Sequence, residues 1–187
     1  MIKGMADALA PGFLIAFPYL RDANFRQSVV LLLQQSAEGA MGVVINQESP
    51  LLLKDLCQDH QIPYSGETHK RVRKGGPLQP EQGLVLYGPE HSDPEGRPVL
   101  DGLHVSASKD TLTRLCNLKK GRFQCFSGYA GWGPRQLERE IAEGVWLVAD
   151  VDPAMILERR PAEVWTGCLH SLGIDPAALV PGGPSEA

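Results

Sequence analysis

The sequence predicts an α+β domain built on a mainly antiparallel sheet. Three observations lead there. Short apolar runs follow one another across small polar turns, the pattern of hairpins. Three segments carry apolar stripes at helical spacing. Hairpins outnumber βαβ crossovers, and no internal repeat interrupts the order.

The elements follow in turn. "GFLIAF" at 12–17 is an apolar run closed by Pro18 and reads as a buried strand. "SVVLLLQQ" at 28–35 is β-branched and apolar, a second buried strand. "SAEGA" turns the chain into a third strand, "MGVVINQ" at 41–47. At 49–60 Ser49 offers an N-cap, Pro50 a first helical position, and Leu52, Leu53 and Leu56 an apolar stripe, so a short helix is expected. A Gly-Gly-Pro turn precedes a strand at 83–87, and "VLDGLHVS" at 99–106 is a further strand. Ser108 caps a helix over 108–118, with Leu112, Leu115 and Cys116 on one face. "RFQCFSGY" at 122–129 and "VWLVADV" at 145–151 are strands, and Asp152-Pro153 opens a helical turn. The last helix, 161–173, buries Val164, Trp165, Cys168, Leu169 and Leu172 and stops at Gly173. One domain is therefore expected over 11–173, with a flexible N-terminus at 1–10 and a mobile Pro/Gly tail at 174–187.

The bulk numbers narrow the function classes. A net charge of −4 gives no general attraction to nucleic acid or anionic membrane. The four cysteines, Cys57, Cys116, Cys125 and Cys168, have neither CxxC nor zinc spacing, and read as buried free thiols in a reducing cytoplasm. The first twenty residues lack the long apolar core of a signal peptide, and no run of 18 apolar residues exists to span a membrane. The expected location is the cytoplasm.

Four segments compete for a functional role. "GYAGWGPRQLEREI" at 128–141 is a glycine-rich turn into a helix, where backbone N–H groups often hold phosphate. An anion or nucleotide site there would use Gly128, Gly131, Trp132, Gly133, Arg135 and Gln136. The stretch matches neither a Walker pattern nor GxGxxG, and Glu138 and Glu140 already complement the helix dipole. A structural corner explains more of these residues: glycines for the turn, Pro134 at the helix start, Tyr129 and Trp132 packed above. "HKRVRK" at 69–74 would suit phosphates, but has no aromatic for stacking and reads better as the solvated edge of a strand. Asp22 and Asn46 form a further candidate polar site; each also suits a side-chain turn. Ser28 lacks a GxSxG context, and the five histidines lack metal-ligand spacing, so no catalytic residue, metal or cofactor is assigned. The tryptophans and phenylalanines belong to the core or its rim.

"PGFLIAFPYLRDANFRQSVVLLLQQSAEGAMGVVINQ", "GGPLQPEQGLVLYG" and "GYAGWGPRQLEREIAEGVWLVAD", in that order, resemble the bacterial YqgE/AlgH family over residues 11–173. The resemblance implies a bent, bifurcated antiparallel sheet that closes into a pseudo-barrel with helices around it. It implies no enzymatic activity and no cofactor, and one branch of the family carries the label of a transcriptional regulator. The chain departs from the family pattern at Arg135, where "GWGPGQLE" has Gly. A non-enzymatic regulator acting through a protein or small ligand is the expectation. Direct nucleic-acid binding is not, since no helix-turn-helix is present.

Overall fold

The leading apolar runs become neighbouring strands because both of their faces are covered. In the computed structural model, which describes residues 9–91, 93–118 and 121–179, β1 (Gly12–Ala16) lies between β2 (Val29–Ser36) and β10 (Trp146–Ala149). Phe13 and Ile15 enter one core cluster; Leu14 and Ala16 enter another on the opposite face. Val29 and Leu31 alternate with Val30 and Leu32 in the same way. This two-sided burial is why the runs are continuously apolar rather than alternating. A two-residue turn, Ala37 and Glu38, joins β2 to β3 (Gly39–Val44).

The remaining elements are β4 (Glu48–Leu52), α1 (Leu53–Asp59), β5 (Arg71–Lys74), β6 (Leu78–Tyr87), β7 (Arg97–Leu100), β8 (Leu103–Ser106), α2 (Lys109–Cys116), β9 (Phe123–Trp132), α3 (Gln136–Ala142), α4 (Pro153–Leu157) and α5 (Pro161–Ser171). The strand order is β10-β1-β2-β3-β9-β6-β8-β7. The long strand β9 has three partners. It pairs β6 along Phe123–Tyr129, β5 at Phe126 and Ser127, and β3 at Ala130–Trp132. The sheet therefore branches at β9, and β4 extends the branch that β5 begins. Among the described residues all pairings are antiparallel except β5 with β9, and the sheet curls into a half-barrel within a single α+β domain.

Helices α4 and α5 close the first core, where Ile156, Val164, Trp165, Cys168 and Leu169 are buried. The second core gathers Trp132, Leu137 and Trp146 beneath α3. The third lies under α1 and α2 and holds Cys57, Cys116 and Cys125. Ser108 caps α2 through bonds from the Asp110 and Thr111 N–H groups, and Asp152 caps α4 through Ala154, as the sequence implies.

Two expectations are corrected. The helix expected from Ser49 starts only at Leu53, because residues 48–52 pair with β5 as a strand; the Ser49 hydroxyl donates to the Val72 carbonyl instead of capping. The basic run at 69–74 is not a solvated edge. Its strand, β5, has β4 and β9 as partners, and Arg73 is buried. Of the terminal segments, residues 1–8 and 180–187 lie outside those described; Leu9 is buried in the second core and Ile174 packs on the first. No helix among the described residues is long and apolar enough to cross a membrane.

Candidate functional site

The glycine-rich segment forms a corner in which Gln136 and Glu140 hold the Gly133 N–H and two indoles, while the N-terminus of α3 has no side-chain cap. Gly128, Gly131 and Trp132 belong to β9, and the turn itself is confined to residues 133–135. The Gly133 N–H donates to Gln136 Oε1 at 3.0 Å, and Gln136 Nε2 donates to Glu140 Oε1 at 2.9 Å. Glu140 Oε2 accepts both indole N–H groups, from Trp132 at 2.9 Å and Trp146 at 2.8 Å. With Phe25 edge-on to Trp146 at 5.6 Å, these side chains make an aromatic plug under α3. An anion at this corner would meet the Glu140 carboxylate, and α3 is only seven residues long. The geometry favours the corner over the anion site.

Arg135 is the residue before α3, not its second position, so Pro134 lies outside the helix rather than at its start. Its φ is +57°, a left-handed conformation that glycine adopts without steric cost. That accounts for Gly in the family pattern at this position. Arg135→Gly is expected to stabilise the fold by about 0.5–1 kcal/mol, read as a higher urea midpoint at unchanged slope. A lower midpoint would mean that the exposed arginine side chain holds the turn.

Asp22 and Asn46 serve the backbone. Asp22 Oδ1 accepts the Asn24 N–H at 2.8 Å. Asn46 Oδ1 accepts the Val29 N–H at 2.8 Å, and its Nδ2 donates to the Gln27 carbonyl at 2.9 Å. Ser28 is fully buried and donates to the Phe25 carbonyl. These bonds pin the 22–28 turn against the end of β3.

The concave surface with the most convergent chemistry lies elsewhere, over the third core. A cleft of about 570 Å³ is lined by Tyr64, Glu67 and Lys70 from the α1–β5 loop, Glu90, Cys116 at the end of α2, and Arg122 and Phe123 opening β9. Lys70 Nζ donates to the Phe123 carbonyl at 2.7 Å and sits 3.9 Å from the centre of the Phe123 ring. Burial pulls its pKa below the usual lysine value, and among the described residues no carboxylate lies within salt-bridge distance of it. An ammonium carries three donors, so this one has capacity left for a ligand. Arg122 at the rim bridges Glu90 and Glu158, one cation shared between two carboxylates. Burial pushes the Cys116 thiol far up, with the Cys57 sulfur adding to the effect, so it is held protonated.

A second hollow of about 430 Å³ shares Glu90, Leu115 and Leu118 with the cleft. Its floor is the Asp93 carboxylate, only 3% exposed, which accepts from Tyr87, Thr111, Arg114 and the Glu95 N–H. Burial alone would raise the Asp93 pKa; the bonds from Thr111, Glu95, Arg114 and Tyr87 outweigh it and hold the carboxyl below its ordinary value. Asp93 thus fastens the chain just ahead of β7 to α2.

The sequence reading missed Tyr64, Glu67, Glu90, Cys116 and Arg122 as site residues, and placed Lys70 on a solvated edge. The cleft draws on four separate segments, so no local spacing marks it. The one usable signal was a lysine immediately preceding an alternating Arg-Val-Arg strand.

Comparisons with known proteins agree with this fold. The AlgH-like family model matches residues 13–177. A UPF0301 protein of Myxococcus xanthus is 43% identical over 178 residues, covering 93% of this chain and 96% of its own. The solution structure of the AlgH protein from Pseudomonas aeruginosa superposes with a TM-score of 0.73 at 32% identity, over 99% of this chain and 100% of that one. A Corynebacterium diphtheriae crystal structure, at 21% identity and a TM-score of 0.76 over 91% of this chain and 90% of its own, shares the fold.

Proposed function

The chain belongs to the AlgH-like family, and we propose that it is a cytoplasmic, non-enzymatic binding protein whose ligand site is the cleft beside Lys70. Any regulatory effect on transcription runs through this binding and not through direct contact with DNA. One observation carries the reading: a half-buried ammonium in an open cleft, with a backbone carbonyl and a ring face as partners, Glu67 acting on it only at longer range, and no carboxylate within salt-bridge distance among the described residues. Such a group favours a ligand that brings the missing negative charge into a low-dielectric setting. The wall supports binding over turnover, because the adjacent thiol is held protonated and Glu90 is tied up by Arg122.

The test is a thermal-shift screen of the full chain against small carboxylates and phosphate esters, with duplex DNA alongside. A ligand at a hundred times its Kd adds about 2.7 kcal/mol of stability, which for a chain of this size raises Tm by roughly 5–10 °C. The Lys70→Met variant is expected to lose the shift, and DNA to produce none. If no carboxylate or phosphate shifts the wild type, or if the variant responds as the wild type does, the Lys70 cleft is not the ligand site.

A further inference from the structure

We propose that Cys57 and Cys116 are a redox-modifiable dithiol that closes to a disulfide across the roof of the third core. The proposal stands on sulfur geometry and is independent of the ligand reading. Cys57 lies within α1 and Cys116 is the last residue of α2, so 59 positions of sequence separate them, yet their Sγ atoms are 3.6 Å apart. Both are free and buried. A disulfide needs the sulfurs at roughly 2.05 Å, a closure of about 1.5 Å that side-chain rotation and a small helix shift supply. Cys168 lies in a different core, and Cys125 lies on β9 beneath the pair without a sulfur contact to either.

The position also gives access. Cys116 lines the 570 Å³ cleft and is 2% exposed, whereas Cys57 has no exposed surface. A small disulfide such as oxidised glutathione meets Cys116 first. Its thiolate attacks one sulfur of the reagent, forming a mixed disulfide and releasing one thiolate, which takes up the proton that Cys116 lost. The Cys57 thiolate then attacks the Cys116 sulfur, forming the Cys57–Cys116 bond and expelling the second small thiol, which receives the Cys57 proton. Two protein thiols are oxidised, and one small disulfide is reduced to two thiols. Burial holds both protein thiols protonated, although the Lys70 ammonium works in the opposite direction at Cys116, so closure is slow at neutral pH and accelerates as pH rises. In a cytoplasm at its ordinary poise the pair stays reduced; it closes under oxidative challenge. Because Cys116 forms part of the cleft wall, closure changes the shape of that wall.

The experiment uses the full-length protein in native buffer at pH 8 with excess oxidised glutathione, followed by alkylation, intact mass and peptide mapping. The expected product has lost roughly 2 Da, with a Cys57–Cys116 peptide and two remaining free thiols. Its Tm is expected to be higher by roughly 5–10 °C, given the long loop that the bond closes. Cys57→Ala should stop at the glutathione adduct on Cys116, and Cys125→Ala should still form the bond. Four free thiols in native buffer, under conditions that oxidise the denatured chain, overturn the proposal. So does a bond in the Cys57→Ala variant, which would show that Cys125 is the true partner.

Discussion

Gly76→Ala is expected to leave little folded protein. Gly76 has φ +156°, and a Cβ built there would lie 2.1 Å from the carbonyl carbon and oxygen of Tyr129. Those are backbone atoms in the middle of β9, and a strand paired on both sides cannot step back. Gly75 and Gly128 meet in the same place, a Cβ on Gly75 falling 2.3 Å from the Gly128 carbonyl oxygen. The Gly75 N–H donates to Ser127, and its carbonyl accepts from Val44. The Gly-Gly-Pro turn is therefore stitched between β3 and β9 at the point where the sheet branches. Overpacking against rigid backbone in addition to a strained φ places the loss at about 4 kcal/mol or more, a large part of the stability of an ordinary domain. Urea unfolding checks it, with Gly83→Ala as control: beyond its chain neighbours nothing lies within 4 Å of a Cβ at Gly83, and its stability should change by no more than about 0.5 kcal/mol. A Gly76→Ala midpoint as close to wild type as the control's would mean that this crossing gives way easily.

That contact shows how the sequence encodes the fold and where its legibility ends. "GGPLQP" and "GYAGWGP" each read as a local turn, and each glycine has a local explanation. Their true role is mutual, since the backbones of residues 75–76 and 128–130 touch. Proximity across fifty residues leaves no periodicity to read. Local signals succeeded where the energetics are local. Ser108 and Asp152 are caps, and the stripe Val164–Trp165–Cys168–Leu169 is buried. They failed at Ser49 and Pro50, where pairing with β5 gained more than a cap offered.

The candidate site was less legible than the fold for a related reason. A lysine in a basic run is most often solvated, and nothing in its neighbours says that Phe123 will cover Lys70. Cys57 and Cys116 are unremarkable by spacing and adjacent only because α1 and α2 roof one core. Glu140 looked like a dipole partner of its helix, but it is the shared acceptor of two indoles. In each case the sequence shows the group and its polarity, and tertiary packing selects the partner.

Arg73→Met is the second substitution expected to be severe, and here two effects oppose each other. The residue is 7% exposed, and its guanidinium donates from Nη1 to the carbonyls of Ile45 at 2.7 Å and Ile156 at 2.9 Å, with a weaker contact from Nη2 to Arg159 at 3.4 Å. Burial lowers its pKa from 12.5 to about 10, with Glu48 pulling the other way; at about 1.4 kcal/mol per tenfold the net penalty on the charged form is on the order of 3 kcal/mol, which methionine would recover. Against it stand two charge-assisted hydrogen bonds, at about 1.5–3 kcal/mol each, and the penalty for stranding the carbonyls they satisfied. Ile156 lies in the last turn of α4, where a carbonyl has no intrahelical donor and a cation is favoured by the helix dipole. The losses exceed the recovery, and a net destabilisation of about 2–4 kcal/mol is expected. Hydrogen exchange should show α4 loosening first, because Arg73, on β5, ties it to the sheet and to Ile45 just past β3. Lys74→Met, one residue away and exposed, should change stability by no more than about 0.5 kcal/mol. Equal effects from the two substitutions would return Arg73 to the solvated edge that the sequence suggested; a wide gap between them makes it a buried clamp between sheet and helix.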